Sequence, residues 1–139
     1  MSDEPRAVAL RAMEHLDRRD LEGVVAETAA ACTWHGFGPS PLDRRGYLEV
    51  IQTFLDGFGD SRFVVDAVVA EGGTVAVAHR LVGTHSGAFQ GVEATGRPVT
   101  VPAIAVFRVD GGAITEVSLH ADMLGLLMQI GAIPAPTGA

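Results

Sequence analysis

Apolar residues recur at helical spacing near the start of the chain, where Val8, Ala9, Ala12, Met13 and Leu16 form one stripe. The spacing predicts a first helix, capped by Ser2 or Asp3 and carrying Pro5 in its first turn. Arg18-Arg19-Asp20 interrupts the stripe, and Asp20 is placed to cap a second short helix bearing Leu21, Val24 and Val25. A third stripe, Tyr47, Val50, Ile51, Phe54 and Phe58, begins behind Asp43 and stops at Gly57 and Gly59. Between the second and third stripes, residues 32–36 read as a first strand. Residues 37–42, with two prolines and a glycine, read as a loop.

The period then changes. Residues 63–70 and 74–84 are strand-like and separated by the turn Glu71-Gly72-Gly73. Residues 99–109 form another strand, in which Pro102 predicts an edge, a bulge or a local bend. Asp110-Gly111-Gly112 predicts a hairpin. Beyond it, strict alternation puts Ile114, Glu116, Ser118 and His120 on one face and Thr115, Val117 and Leu119 on the other. Asp122 is placed to cap a last helix of Leu124, Leu127 and Met128, stopped by Gly131 and Pro134. Residues 85–97 are glycine-rich and without period, which predicts a mobile loop or a lid at a cavity mouth. Helices ahead of antiparallel strands give an α+β plan, with one domain across residues 1–139.

Composition narrows the function. The chain is 47% hydrophobic, more than 139 residues need for a core, and the surplus predicts a cavity lining, a homodimer interface, or both. A formal charge of −7 without a Lys/Arg stripe argues against nucleic acid. No apolar run reaches the roughly 20 residues of a membrane span, and the acidic start lacks the basic n-region of a secretory leader. Cys32 is the sole cysteine and reads as a small buried hydrophobe. These features point to a cytoplasmic protein. Five histidines occur, but none at His-x-His or His-Glu-x-x-His spacing, and no phosphate- or dinucleotide-binding loop is present, so neither metal nor cofactor is implied.

Chemistry is sought first at Asp122, a carboxylate at a strand–helix junction with His120 two residues earlier. A helix cap demands the same residue type at the same place, so both roles stay open. His85 stands where the glycine-rich segment begins, able to act on substrate or to fix that segment through its ring nitrogens. His79 and Arg80 are neighbours on a strand and must face opposite ways, one of them into any cavity. Trp34 and Tyr47 suit a core or a cavity wall.

The segment from Asp122 through Gly125-Leu126-Leu127 and Gln129-Ile130-Gly131-Ala132-Ile133-Pro134 resembles the C-terminal signature of the SnoaL-like polyketide cyclases. Gly83-Thr84-His85-Ser86-Gly87, followed by Thr95-Gly96-Arg97, is similar to a second element of that family. Phe107-Arg108-Val109-Asp110-Gly111-Gly112 is similar to a third. The resemblance implies the nuclear transport factor 2-like fold, a cone in which N-terminal helices pack on a curved, mainly antiparallel sheet. It also implies that Asp122 occupies the place of the acid/base of the aldol cyclases. Departures matter as much. Ala78 stands where many relatives carry arginine, Pro102 and Ala105 stand at usually polar positions, and Ser118 stands in place of a tryptophan. The implied pocket has lost polar groups.

The resemblance therefore points to a ring-forming cyclase acting on a polyketide-like small molecule, by [4+2] or aldol carbon–carbon closure, with the indanomycin-type cyclase as analogy. Asp122, His120 and His85 are the candidate catalytic residues. Trp34, Tyr47, His79, Ala105 and Ser118 are the candidate substrate-binding residues. Two alternatives remain open: a carboxylate-dependent epoxide hydrolase or isomerase, in which Arg80 and Asp66 would join Asp122, and a non-catalytic small-ligand-binding module.

Overall fold

The computed structural model describes residues 4–134 and 136. Its elements are α1 (Pro5–Asp17), α2 (Leu21–Ala26), β1 (Thr28–His35), α3 (Arg44–Gly57), β2 (Arg62–Glu71), β3 (Thr74–Thr84), β4 (Pro98–Asp110), β5 (Ala113–Ala121) and α4 (Met123–Gln129). The five strands lie in the order β1-β5-β4-β3-β2. All neighbours are antiparallel except β1 and β5. Helices cover the concave face of this curved, unclosed sheet, which is the α+β cone expected.

Local chemistry accounts for the helix ends. Pro5 opens α1 with Glu4 at the N-cap position, while Ser2 and Asp3 lie outside the described residues. Asp20, Asp43 and Asp122 each accept a hydrogen bond from a glycine N–H three residues on, at 2.9, 2.8 and 2.8 Å. Between α1 and α2 the chain turns through Arg19 at φ 59°. Its guanidinium then reaches the carbonyls of Gly59 (2.7 Å) and Ser61 (2.8 Å), tying the α1–α2 corner to the end of α3.

Two strands differ from expectation, and both differences are physical. Pro102 lies in the central strand and at neither edge: β4 is flanked on both sides, pairing continuously with β3 from Arg108 to Pro98. The carbonyl of Pro102 accepts from Asp122 N–H at 3.1 Å, so its nitrogen also faces the β5 side, where β5 has just ended at Ala121. The missing N–H therefore costs no ladder bond. In β5 a register shift pairs Val109 with Ile114 but Arg108 with Glu116, leaving Thr115 as an extra residue. Strict alternation fails there, and Ile114 and Val117 are both buried. Downstream of the bulge, Val117, Leu119 and Ala121 pair with the inward residues Phe107, Ala105 and Ala103, while Ser118 and His120 fall on the outer face.

β1 also starts earlier than its apolar pattern, at Thr28. Ala30 and Ala31 are exposed and give no alternating signal. Gly36, at φ 90°, follows this strand where a Cβ would collide with the Leu119 carbonyl, so the close approach of the chain to β5 requires glycine.

Candidate active site

Between the helices and the inner sheet face lies a cavity of about 1030 Å³, large enough for a drug-sized or larger molecule. Val101, Ala103, Ala105 and Phe107, the inward positions of β4, form its floor. One wall is aromatic: Trp34 of β1 and Tyr47 of α3 stack with ring centroids 4.6 Å apart, and Phe37 meets Tyr47 edge-on at 5.7 Å. The lining residues Gly38, Thr53, Gln90 and Met123 are exposed and mark the mouth.

Among the described residues no Asp, Glu, Lys or Arg lines this cavity. Its titratable groups are Tyr47, His79 and His120. His79 is 5% exposed, and its Nδ1 lies 3.1 Å from the Val77 carbonyl. A carbonyl only accepts, so Nδ1 carries the proton and Nε2 of the neutral ring keeps its lone pair. Burial lowers the His79 pKa below the ordinary value, the bond to Val77 and the charge of Asp66 opposing it, so the ring stays neutral near pH 7. Burial pushes the Tyr47 phenol well up, so it keeps its proton. The Cys32 thiol, buried beneath the same wall, is pushed up to about 11 by desolvation and is no nucleophile.

The candidate residues separate. Trp34, Tyr47, His79 and Ala105 line the cavity. His79 is the inward member of its pair, while Arg80 points outward and binds Asp66 at 2.9 Å. Ser118 lies off the cavity, on the outer face, because of the β5 bulge. His120 shares that outer face with its partner Ile104 and reaches only the cavity rim. Asp122 does not line the cavity. It is exposed, and its carboxylate caps α4 through Gly125 N–H. The strand ends at Ala121, before Asp122, and the carboxylate does not turn inward.

His85 is fully buried outside the lining and joins two segments of the glycine-rich stretch. Thr95 N–H donates to its Nδ1 at 3.3 Å, and the Thr95 hydroxyl lies 2.9 Å from the same atom. Its ring stacks on Phe58 at 5.4 Å. This explains why Gly-Thr-His and Thr-Gly-Arg occur together. Residues 85–97 are correspondingly better anchored than their glycines suggest: Phe89 is buried edge-on against Phe54 and Phe58, and Ser86 and Gly87 N–H both bond the Gly57 carbonyl at 3.0 Å. Phe89 and Gln90 line the cavity, which puts this segment at its mouth.

Sequence reasoning missed Phe37 and Phe89 as wall residues. Both sit in stretches without period. The available signal was their size, each a lone aromatic in a loop of small residues.

Residues 7–130 match the family model described as SnoaL-like polyketide cyclase. Among solved structures, IdmH from Streptomyces antibioticus, named as a candidate polyketide cyclase, is 31% identical, with TM-score 0.83 over 92% of this chain and 99% of that one. AclR from Streptomyces galilaeus, named as a candidate hydroxylase, is 24% identical, with TM-score 0.89 over 97% and 85%. An NTF2-like protein of unknown function from Burkholderia pseudomallei is 21% identical, with TM-score 0.77 over 94% and 99%. The last two likenesses establish the nuclear transport factor 2-like fold alone. No curated protein matches the chain.

Proposed function

The chain belongs to the SnoaL-like polyketide cyclase family, and on that premise we propose that it is a cofactor-independent cyclase closing a carbon–carbon bond within a polyketide-like molecule held in the cavity. One observation carries this reading: the cavity is large, apolar and without Asp, Glu, Lys or Arg among its described lining residues. Such a site has little with which to drive proton chemistry and much with which to hold a conformer. Holding reacting carbons in contact removes up to about 7–11 kcal/mol of barrier.

A [4+2] closure fits these means. Four π electrons of a diene and two of an alkene become two new σ bonds and one new π bond. No proton enters or leaves, and the product has the substrate's mass. An aldol closure needs a base at the reacting carbon. Asp122, the family's position for it, is spent on Gly125 N–H outside the cavity. The hydrolase or isomerase reading finds still less support, since Arg80 and Asp66 bind each other on the outer sheet face.

The same outer face leaves Val69 68% and Ile104 46% exposed, which supports a homodimer formed through the sheet. Sedimentation of a monomer at high micromolar concentration would refute the dimer. The cyclase reading is tested by single-turnover rates against pH, with product mass measured alongside. A rate flat with pH while the fold is intact, and a product isomeric with the substrate, are expected. A product heavier by one water would establish hydrolysis instead.

A further inference from the structure

We infer that the cavity selects uncharged molecules and orients them by two buried hydrogen bonds, a substrate hydroxyl donating to His79 Nε2 and a substrate carbonyl accepting from Tyr47 Oη. This rests on the reading of the cavity as the substrate site and adds which chemical class it takes.

The cavity wall holds few polar atoms without a protein partner. Thr28 and Thr53 also line the cavity, but their hydroxyls bond the carbonyls of Val25 (2.7 Å) and Glu49 (3.0 Å). Gln90 and His120 are exposed at the rim. His79 and Tyr47 remain, 5% and 4% exposed. The single side-chain hydrogen bond of His79 among the described residues is the one from Nδ1 to Val77, and no described residue bonds Tyr47 Oη. Neither free atom is sealed in protein, and both residues line the cavity. A buried acceptor and a buried donor without partners recognise a ligand that supplies the complements, because the wrong ligand leaves them unsatisfied.

Charge is selected against by the same count. A carboxylate entering the cavity would lose its water and find no Lys or Arg among the described lining residues. The favoured substrate is a neutral polyene or polycycle bearing a hydroxyl and a carbonyl. A free acid is excluded.

Trp34 is the sole tryptophan and forms part of the wall, so its emission reports occupancy directly. Four probes of one shape test the inference at pH 7: 1-hydroxypyrene, pyrene, 1-pyrenecarboxaldehyde and 1-pyrenecarboxylate, each titrated against Trp34 fluorescence. For the hydroxyl, the reading is how the Kd ratio of pyrene to 1-hydroxypyrene changes with the variant. His79→Phe should lower that ratio about 5-fold, the worth of one hydrogen bond. His79→Gln, which restores an acceptor, should recover most of it. Tyr47→Phe keeps the ring stack and should weaken a carbonyl probe, 1-pyrenecarboxaldehyde, by about the same factor. The carboxylate should bind at least 10-fold more weakly than 1-hydroxypyrene.

A ratio unchanged in His79→Phe, or a carboxylate that binds as well as the neutral probes, overturns the inference while leaving the cyclase reading standing. Failure of all the probes to quench Trp34 would overturn the cavity as a binding site, and both readings with it.

Discussion

Trp34 and Tyr47 stack face to face, their ring planes within 6° of parallel, and so join the first strand to the long helix across the cavity wall. The contact is structural and functional at once. Trp34 is buried at 2% exposure, and Tyr47 closes over it with Phe37 against its edge. Removing Tyr47 takes away the stack and enlarges the cavity. Tyr47→Ala should therefore cost about 3–5 kcal/mol by urea denaturation. Tyr47→Phe should cost less than about 1 kcal/mol, because Oη has no described protein partner to lose.

Asp17 joins the end of α1 to the start of β2. Its carboxylate accepts from Arg62 Nε and Nη2 and from Phe63 N–H, each at 2.9 Å. The Arg62 hydrogen bond is the main reason its pKa lies below the ordinary carboxylate value, with the Phe63 N–H adding to it. A depressed folded pKa gives stability that is present above the ordinary value and lost as pH falls through the folded one. Asp17→Asn should thus be less stable than the wild type at pH 7, with the gap closing in strong acid. Denaturant midpoints of the two proteins at pH 7 and pH 3 check this.

His79 gives a second acid-side signature at milder pH. Its folded pKa is lowered chiefly by burial, so the unfolded chain takes up the proton first. Stability should fall as pH drops from the ordinary histidine value toward the lowered folded one. His79→Phe should flatten that part of the curve, read as thermal midpoints from pH 7 to 5.

Cys32 should be inert in the folded protein. It is 1% exposed, and its thiol is raised to about 11, so thiolate is scarce near neutrality. Iodoacetamide at pH 8 should leave the native protein unmodified by intact mass. One adduct should form in denaturant. Rapid native labelling would show that the β1 wall opens.

The fold was legible because its signals are local. Asp20, Asp43 and Asp122 begin helices as their chemistry dictates, and the glycine turns at 72–73 and 111–112 close hairpins. The site was legible only in part. Trp34, Tyr47, His79 and Ala105 line the cavity, at positions where an inward stripe or a strand parity is readable along the chain. Ser118 and His120 fall on the outer face because of one bulged residue, Thr115, since a single insertion inverts every later side chain, and His120 still reaches the cavity rim. Asp122 satisfied two demands equally well, and only the third dimension shows its oxygen on Gly125 N–H. Phe37 and Phe89 reach the cavity through loops, where no period exists to read.

The mechanism divides on two substitutions. Asn caps a helix as well as Asp does, so Asp122→Asn should leave stability within about 0.5 kcal/mol. If closure depends on shape, turnover should also stay within about 3-fold. Ala105 lies on the cavity floor between Val77 and Leu119, at 4% exposure. Ala105→Leu pushes three extra carbons into the space where the substrate must fold. A 1 Å misplacement costs an orientation-driven reaction about 100-fold, so turnover should drop by at least that much. The stability cost of overpacking should stay near 1–3 kcal/mol, and the open side of the site should hold it to the lower end. Both variants need checking by circular dichroism before rates are compared. The opposite pattern, a loss of about 1000-fold in Asp122→Asn with the fold intact, would lie in the range of general acid–base catalysis. The carboxylate would then have to leave Gly125 N–H and enter the cavity during turnover, and the closure would be an aldol reaction with proton transfer at its centre.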